Sequence, residues 1–195
     1  MTYEEFYGKK LNALNETKRV LESKAESMRT SCRTDIDVQP VIYYCSRIKS
    51  PDSMIAKLSS RGFPVSLESS LANVYDSVGI RIICSFAEDV MNVVDNLEND
   101  PSVEIIEKKN YLLNPKQNGY RSVHLCIRLA DTGMLAEIQI RTITMDFWAT
   151  LEHQLKYKKN ISNEQLIKSE LKRCADEIAS VDLSMQTLRD IIRKN

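Results

Sequence analysis

Strand-like runs alternate with helical segments through the middle of the chain, and this alternation restricts the possible folds more than any other feature. Runs rich in β-branched and aromatic residues predict strands at VIYYCSRIK, GIRIICSF, SVEIIEK, VHLCIRL and MLAEIQIRT. Ser50 and Pro51 predict a helix after the first run, and AEDVMNVVDNLEN predicts another after the second. The Asp131-Thr132-Gly133 turn predicts an antiparallel hairpin between the last two runs. Together these features indicate an α/β (α+β) fold with a mixed sheet covered by helices.

Apolar residues recur with helical spacing at both ends of the chain. From Thr2 to Met28 they follow steps near 3.6, which predicts an amphipathic helix. After Ile167 the steps alternate between four and three, as in helices that pack along other helices: Leu171, Cys174, Ile178, Val181, Met185, Leu188 and Ile192. Two arrangements, which can coexist, fit this C-terminal helix. It can fold back on the N-terminal helix, or it can form an oligomer interface.

The length of the chain suits one domain with a full hydrophobic core. It has 195 residues, of which 43% are apolar, so a single domain with helical extensions is the simplest organisation. We place the N-terminal helix in residues 1–30, the central α/β core in residues 41–159 and the C-terminal helix in residues 162–195.

The charge balance and the cysteines exclude several classes of protein. Lys and Arg number 27, as do Asp and Glu, so no overall field attracts nucleic acid or a membrane. The cysteines are odd in number and lack a Cys-x-x-Cys pair, which argues against disulfides or a zinc site: Cys32, Cys45, Cys84, Cys126 and Cys174. We expect buried thiols in a reducing cytoplasm. No stretch approaches the roughly 18 apolar residues of a membrane helix.

Cationic side chains gather where the first strand passes into the first central helix. Arg47 and Lys49 are two residues apart at the strand end, and Ser53 and Lys57 are four apart on one helix face. The helix N-terminus adds free N–H groups and a positive dipole end. This pattern predicts a cradle for a polyphosphate, although a solvated strand end before an ordinary surface helix fits as well.

Two carboxylates belong to the same predicted region. Asp76 precedes the strand that carries Arg81, and MLAEIQIRT places Glu137, Gln139 and Arg141 on one face. The alternation of polar and apolar residues in MLAEIQIRT also fits an ordinary sheet with one solvent-exposed face. Beside a cationic cradle, however, Asp76 and Glu137 could hold Mg²⁺, which prefers oxygen ligands and shares them with substrate phosphates.

The segment NPKQNGYRSVH, residues 114–124, combines a turn with basic and aromatic side chains. Asn118-Gly119 is a turn dipeptide, and Tyr120 and His124 share one side by alternation. An aromatic ring beside a phosphate site offers a stacking platform for a base. The competing interpretation is a tyrosine that covers the end of the core.

Five segments resemble, in order, the motifs of the synthetase domain of the RelA/SpoT family. They are RIKSPDSMIAK, DSVGIRII, KNYLLNPKQNGYRSVH, EIQIRT and FWATLEHQLKYK. The likeness as a whole extends from about Tyr43 to Lys158. The compact length is similar to that of small alarmone synthetases. The resemblance implies a nucleotidyltransferase-like fold, in which helices flank a mixed sheet of about five strands.

The same resemblance implies a GTP pyrophosphokinase of the stringent response. Such an enzyme uses Mg²⁺ and transfers pyrophosphate from ATP to the 3′-hydroxyl of GDP or GTP. Carried over by position, Arg47 and Arg81 flank the adenine, and Lys49, Ser53 and Lys57 hold the ATP phosphates. Asp76 and Glu137 bind Mg²⁺, and Glu137 is also the base for the 3′-hydroxyl. Tyr120 stacks on the guanine near Lys116, Asn118, Arg121 and His124, while Gln139 and Arg141 orient the acceptor. The implied oligomer is a tetramer.

One motif residue departs from the family pattern. The family usually has Lys-Asp-Tyr where this chain has Lys109-Asn110-Tyr111. If that aspartate only accepts hydrogen bonds, Asn110 can serve; if its charge orients the site, catalysis is weakened. The sequence contains only two histidines, His124 and His153, so the His-Asp hydrolase of longer family members is not expected. In the FWATLEHQLKYK helix we expect Trp148 to be a core residue, and His153 to be packed or hydrogen-bonded in preference to a catalytic role.

Two other functions remain compatible with these motifs. A toxic relative that pyrophosphorylates the 3′ end of tRNA would need a basic path for RNA, and only Lys156, Lys158 and Lys159 cluster. A weakly active or inactive regulator that binds nucleotides or RNA would have no need for the pair Asp76 and Glu137.

Overall fold

A five-stranded mixed sheet forms the centre of the part of the chain that the computed structural model describes, residues 1–31, 38–156 and 163–194. Its strands are β1 (Val41–Ile48), β2 (Val78–Cys84), β3 (Val103–Asn110), β4 (Val123–Leu129) and β5 (Leu135–Thr142), in the order β1-β2-β5-β4-β3. The pair β2 and β5 is parallel, and the other neighbouring pairs are antiparallel. The predicted mixed sheet, its strands and the hairpin between β4 and β5 are therefore confirmed.

Helices precede, connect and follow the strands. They are α1 (Tyr3–Tyr7), α2 (Leu11–Ser31), α3 (Pro51–Ser60), α4 (Leu67–Asn73), α5 (Ala87–Glu98), α6 (Ile143–Lys156) and α7 (Glu164–Arg193). Short 3₁₀ turns cover Gly8–Lys10 and Tyr75–Ser77. Among these described segments, no helix is both long enough and apolar enough to cross a membrane.

The two faces of the sheet differ in character because strand side chains alternate. One face is apolar, and it packs against α2 and α5 to form the main core: Val78, Ile80 and Ile82 of β2, and Ala136, Ile138 and Ile140 of β5. Full burial of one aliphatic side chain contributes about 1.5–3 kcal/mol, so this face anchors the fold. The opposite face carries Arg81, Glu137 and Gln139, which line an open cavity.

The structure corrects two predictions about helices. The N-terminal helix is interrupted at Gly8. A capping box at Thr2 begins α1, and Gly8, which adopts φ +48°, ends it. The sequence reading also missed α4, whose N-cap Ser66 accepts a hydrogen bond from the Ser69 amide. Serine three residues before another polar residue is a weak start signal, and the helix is only 7 residues long.

The C-terminal helix does not fold back on the N-terminal one. Instead α7 packs against α5 and α6, as the 2.9 Å hydrogen bond from Trp148 Nε1 to the Leu171 carbonyl and the 2.7 Å ion pair between Arg189 and Asp89 show. The apolar stripe of α2 is already used by the sheet, with Leu14 and Leu21 buried there. A second helix therefore has no apolar surface to contact on that side.

Candidate active site

The register of the sheet aligns polar side chains in two neighbouring rows. In one row, Arg47 of β1 and Glu137 of β5 lie on either side of Gly79. In the next row, Arg81 of β2 and His124 of β4 lie on either side of Gln139. Gly79 leaves the space between Arg47 and Glu137 free of a side chain. The sequence therefore brings residues from four strands together on one face.

Two cavities open on this polar face. The first, of about 210 Å³, is lined by Arg47, Asp76, Arg81, Glu137 and Gln139, together with Cys45, Ser46, Gly79 and Ile80. The second, of about 520 Å³, extends towards the 114–124 loop and α6. Arg47, Arg81 and Gln139 line both cavities, so the two spaces are contiguous. Cys45 is exposed at the first cavity and Cys174 is half-buried, contrary to the expectation that the cysteines are buried; Cys84 and Cys126 are buried, and Cys32 lies outside the described residues.

Asp76 organises the cationic side of the first cavity. It lies in the 3₁₀ turn before β2, and its two oxygens are each 2.8 Å from an ammonium group, Lys49 Nζ and Lys57 Nζ. Burial alone would raise the pKa of the Asp76 carboxyl, but its hydrogen bonds with the two lysines outweigh burial and lower that pKa. Ser53 lies exposed one turn before Lys57, beside the N-cap Ser50. The structure therefore brings Lys49 and Lys57 together around an ionised carboxylate.

Glu137 lies at the centre of the polar face. Its Oε1 is 3.2 Å from His124 Nδ1, and its Oε2 accepts a 3.0 Å hydrogen bond from Gln139 Nε2. Burial would raise the pKa of the Glu137 carboxyl, but the contact with His124 and the Gln139 bond outweigh burial and lower that pKa. The carboxylate is thus ionised at neutral pH and can accept a proton.

The donor set of the first cavity fits a magnesium ion bound together with phosphates. Asp76 and Glu137 both line it, and each offers only oxygen atoms. Within the described ranges, no three His, Cys, Asp or Glu side chains gather as a closed metal cage. Mg²⁺ is typically held in proteins by one or two carboxylates, with substrate phosphates and water completing its shell.

The 114–124 loop forms a tight turn at the rim of the second cavity. Gly119 has φ +86°, and its amide donates to the Lys116 carbonyl at 2.8 Å, so the predicted Asn118-Gly119 turn is present. The Tyr120 ring is only 8% exposed and packs beside Trp148. Lys116 Nζ lies 5.1 Å from the centroid of that ring. Tyr120 therefore covers the end of the core, and Lys116 lies over its ring.

Four of the predicted site residues line neither cavity: Lys49, Ser53, Lys57 and Arg121. Of these, Arg121 is turned towards α7. Its Nη2 is 3.1 Å from Asp176 of α7, and its Nη1 donates to the Gly119 carbonyl at 2.8 Å. Arg121 lies one residue from Tyr120, so its side chain points to the opposite side of the extended chain. There the negative charge of Asp176 holds it.

Helix α6 supplies site residues that the sequence reading did not identify. Its side chains form one wall of the second cavity: Trp148, Ala149, Thr150, Glu152, His153 and Gln154. Glu152 is 8% exposed and accepts a 3.0 Å hydrogen bond from Asn118 Nδ2. His153, expected to be packed or hydrogen-bonded, is exposed at this wall and so is not packed, whereas Trp148 is buried as expected. Ala149 and His153 are one helical turn apart, a spacing that could have revealed the shared face.

Asn110 performs a local structural role at the end of β3. Its side-chain oxygen accepts hydrogen bonds from the amides of Leu112 at 3.0 Å and Leu113 at 3.2 Å. This is the side-chain-capped turn that asparagine and aspartate both form. The amide therefore fulfils the accepting role that a carboxylate would have at the entrance to the loop.

Comparison with known proteins finds relatives of both sequence and structure. Residues 46–162 match the profile described as the region found in RelA / SpoT proteins. The chain is 40% identical over 152 residues to GTP pyrophosphokinase YwaC of Bacillus subtilis, covering 75% of this chain and 72% of that protein. It superposes on small alarmone synthetase 1 of Bacillus subtilis, solved with its product pppGpp, with a TM-score of 0.82, 29% identity and coverage of 93% and 95%.

A GTP pyrophosphokinase family protein from Streptococcus pneumoniae gives a TM-score of 0.83 at 31% identity, covering 100% of this chain and 97% of its own. The likeness therefore includes the helices at both ends as well as the sheet. The register of polar residues and the two contiguous cavities agree with the profile match. The chain therefore belongs to the RelA/SpoT family.

Proposed function

We propose that this protein is an ATP:GTP 3′-diphosphotransferase, which moves the β,γ-pyrophosphate of ATP to the 3′-hydroxyl of GDP or GTP. The products are ppGpp or pppGpp and AMP. The observation that carries the proposal is the pair of contiguous cavities that share Arg47, Arg81 and Gln139, with Glu137 hydrogen-bonded to Gln139 and His124. A transfer between two nucleotides requires two such neighbouring spaces with an ionised base at their junction.

ATP occupies the first cavity in this proposal. Arg47 and Arg81 flank its adenine, and the ammonium groups of Lys49 and Lys57 face its phosphates with Ser53. In the structure both lysines are bonded to Asp76, so the carboxylate holds them in place before the nucleotide arrives. The N-terminus of α3 adds the positive end of its helix dipole.

The guanine nucleotide occupies the second cavity. Lys116, Asn118 and His124 line it with Gln139 and Arg141, as the family resemblance implies for the acceptor. Lys116 lies over the rings of Tyr111 and Tyr120 at 4.6 Å and 5.1 Å. When Lys116 turns to the phosphates of the acceptor, one face of Tyr120 becomes available for the guanine. Arg121, bonded to α7, supports the loop and does not contact the nucleotide.

The reaction is a displacement at the β-phosphorus of ATP. Glu137 takes the proton of the 3′-hydroxyl, whose oxygen forms a bond to that phosphorus. The bond from the β-phosphorus to the oxygen bridging it to the α-phosphate breaks, and AMP leaves with that oxygen. Lys49 and Lys57 face the charge that spreads over the phosphate oxygens.

Asp76 and Glu137 are the residues that would hold Mg²⁺ with the ATP phosphates. The ion would neutralise the negative charge of the phosphates that are transferred. The reaction belongs in the cytoplasm, where both nucleotides are present and where free thiols such as Cys84 and Cys126 persist.

A labelling assay tests this proposal directly. Purified protein is incubated with Mg²⁺ and ATP labelled on its terminal phosphate, and GDP, GTP and tRNA are supplied in parallel. We expect the label in ppGpp from GDP and in pppGpp from GTP, with AMP released in equal amount. Labelled tRNA without labelled guanine nucleotide would assign the chain to the tRNA-modifying class instead. No transfer to any acceptor would leave it a nucleotide-binding regulator.

A further inference from the structure

The carboxylate of Asp146, in the first turn of α6, contacts residues from three strands. Its Oδ1 accepts a 2.9 Å hydrogen bond from Arg141 Nε on β5 and lies 3.5 Å from Arg81 Nη1 on β2. Its Oδ2 accepts a hydrogen bond from the Tyr43 hydroxyl on β1. Asp146 is only 8% exposed, so water screens these interactions weakly.

The two arginines that share Oδ1 belong to different parts of the site. Arg81 lines both cavities, whereas Arg141 lines only the second of them. The Arg81 Nε is buried without a hydrogen-bond partner among the described residues. Its contact with Asp146 therefore has a large part in orienting that guanidinium. Because one oxygen serves both cations, a displacement of either guanidinium changes the position available to the other.

From Asp146 a chain of hydrogen bonds continues to Glu137. Arginine can only donate, so the Tyr120 oxygen accepts from Arg141 Nη1 at 3.3 Å, which leaves the hydroxyl proton for His124 Nε2 at 3.2 Å. A neutral imidazole that accepts at Nε2 carries its proton on Nδ1, and this nitrogen faces Glu137 Oε1. Each link thus has one donor and one acceptor, and the chain is fully satisfied.

We propose that Asp146 is a positioning residue that couples the ATP site to the guanine-nucleotide site. ATP that fixes Arg81 also fixes the shared carboxylate oxygen. Arg141, which donates to that oxygen, lines the second cavity. Through the Tyr120 hydroxyl, Arg141 also fixes the orientation of His124 beside Glu137. The inference rests on the function proposed above and adds the route by which one substrate prepares the site for the other.

Calorimetric binding tests the coupling without any turnover. GDP is titrated into the whole protein with Mg²⁺, in the presence and absence of an ATP analogue whose α,β-bridging oxygen is replaced by a methylene. We expect the analogue to raise the GDP affinity of the unaltered chain by a factor of about 5 to 150, the usual range of coupling between sites. In D146N that factor should fall towards one. In E104Q, an exposed residue paired with Arg128 on β3 and β4, it should be unchanged.

The outcomes separate the possible explanations. A purely structural role for Asp146 would lower the melting temperature and both affinities while the factor stays as in the unaltered chain, and this result would overturn the inference. If the unaltered chain binds both nucleotides with a factor of one, the inference also fails but the proposed function stands. If it binds neither nucleotide, the proposed function itself fails.

A second variant covers the case in which D146N does not fold. Tyr43 is 40% exposed, and Y43F removes only the hydroxyl that holds Asp146 from β1. We expect Y43F to fold and to show a reduced coupling factor. In this variant the two arginines still hold Oδ1 of Asp146, but Oδ2 has lost the Tyr43 hydroxyl. A factor equal to that of the unaltered chain in Y43F would overturn the proposal.

Discussion

At the scale of single residues, Glu137 is the group whose chemistry the proposed reaction requires most. The alternation of MLAEIQIRT already placed Glu137, Gln139 and Arg141 on one face, and the structure confirms this. What the alternation did not reveal is that His124 and Gln139 each contact one of the two carboxylate oxygens. These contacts keep Glu137 ionised and aimed into the first cavity.

Replacing Glu137 with glutamine should abolish the transfer while leaving nucleotide binding largely intact. E137Q keeps the size of the side chain and an oxygen that can face His124, but it cannot accept the proton of the 3′-hydroxyl. We expect kcat for alarmone formation to fall by at least about a hundredfold. The measurement is the labelling assay under saturating ATP and GDP, with E104Q as the matched control. Turnover near that of the unaltered chain would exclude Glu137 as the base.

Tyr120 illustrates how far sequence reasoning reaches and where it ends. The loop motif predicted an aromatic ring at the acceptor site, and the ring does line the second cavity. Its hydroxyl contacts with Arg141 and His124 were not predictable, because they depend on the pairing of β4 with β5. Its burial beside Trp148 was not predictable either, because it depends on how α6 docks on the sheet. The same reason explains why Asp146, Glu152 and His153 were missed.

Two substitutions at Tyr120 separate the ring from the hydroxyl. Y120F keeps the ring, so the KM for the guanine nucleotide should change little while kcat falls several-fold, since His124 loses its partner. Y120A removes the stacking surface, and the KM for the guanine nucleotide should rise by about 5- to 150-fold, equivalent to about 1–3 kcal/mol. The KM for ATP serves as the internal control. An equal rise for both nucleotides in Y120A, with the fold intact by circular dichroism, would exclude base stacking.

At the scale of elements, the 114–124 loop depends on α7 as well as on its own turn. Arg121 pairs with Asp176, and an added Cβ on Gly119 would lie 2.6 Å from the Ala175 Cβ. The strand β4 and the Asn118-Gly119 turn follow from local sequence, and both were predicted. The docking of α7 against the loop joins residues more than 50 positions apart, as the Arg121–Asp176 hydrogen bond shows. No local pattern specifies such a contact.

Alanine at two glycines should distinguish this docking from backbone strain alone. Gly119 has φ +86° and Gly133 has φ +65°, but a Cβ on Gly133 meets no atom within 4 Å. Both G119A and G133A carry the strain of a positive φ, and only G119A also overpacks against Ala175. We expect the free energy of unfolding to fall by about 1–3 kcal/mol more in G119A than in G133A.

Urea denaturation measures these losses, and steady-state kinetics measures the effect on the acceptor. The KM for GDP should rise in G119A only, because the displaced loop carries Lys116 and Asn118. The double variant G119A/A175G, which removes the opposing methyl group, should recover part of both losses. Equal destabilisation in G119A and G133A would show that the contact with α7 contributes nothing.

At the scale of the whole molecule, the two halves of α7 differ in how far their heptad residues are buried. Its first half packs inwards, with Leu171, Cys174 and Ile178 partly buried against the cluster around Trp148. Further along, the heptad residues are exposed, Val181 at 51%, Met185 at 47% and Leu188 at 53%. The buried Arg189–Asp89 pair holds this second half against α5. The stripe is therefore presented on a fixed helix, as an interface between chains requires.

Charged residues in the exposed half of α7 should dissociate an oligomer without unfolding the chain. We propose that this stripe joins copies of the protein, in a tetramer as the family resemblance implies. Ile178 belongs to the same heptad, but it packs within one chain, so a charge there would also disturb the fold. The double substitution M185E/L188E affects only exposed side chains. We expect light scattering to give a multiple of 22.4 kDa for the unaltered chain and a smaller multiple for the double variant.

T187E, which adds a charge to an exposed polar position on the same helix, should keep the larger mass. An unaltered chain that scatters as 22.4 kDa, or a double variant with undiminished mass, would remove the stripe from the interface.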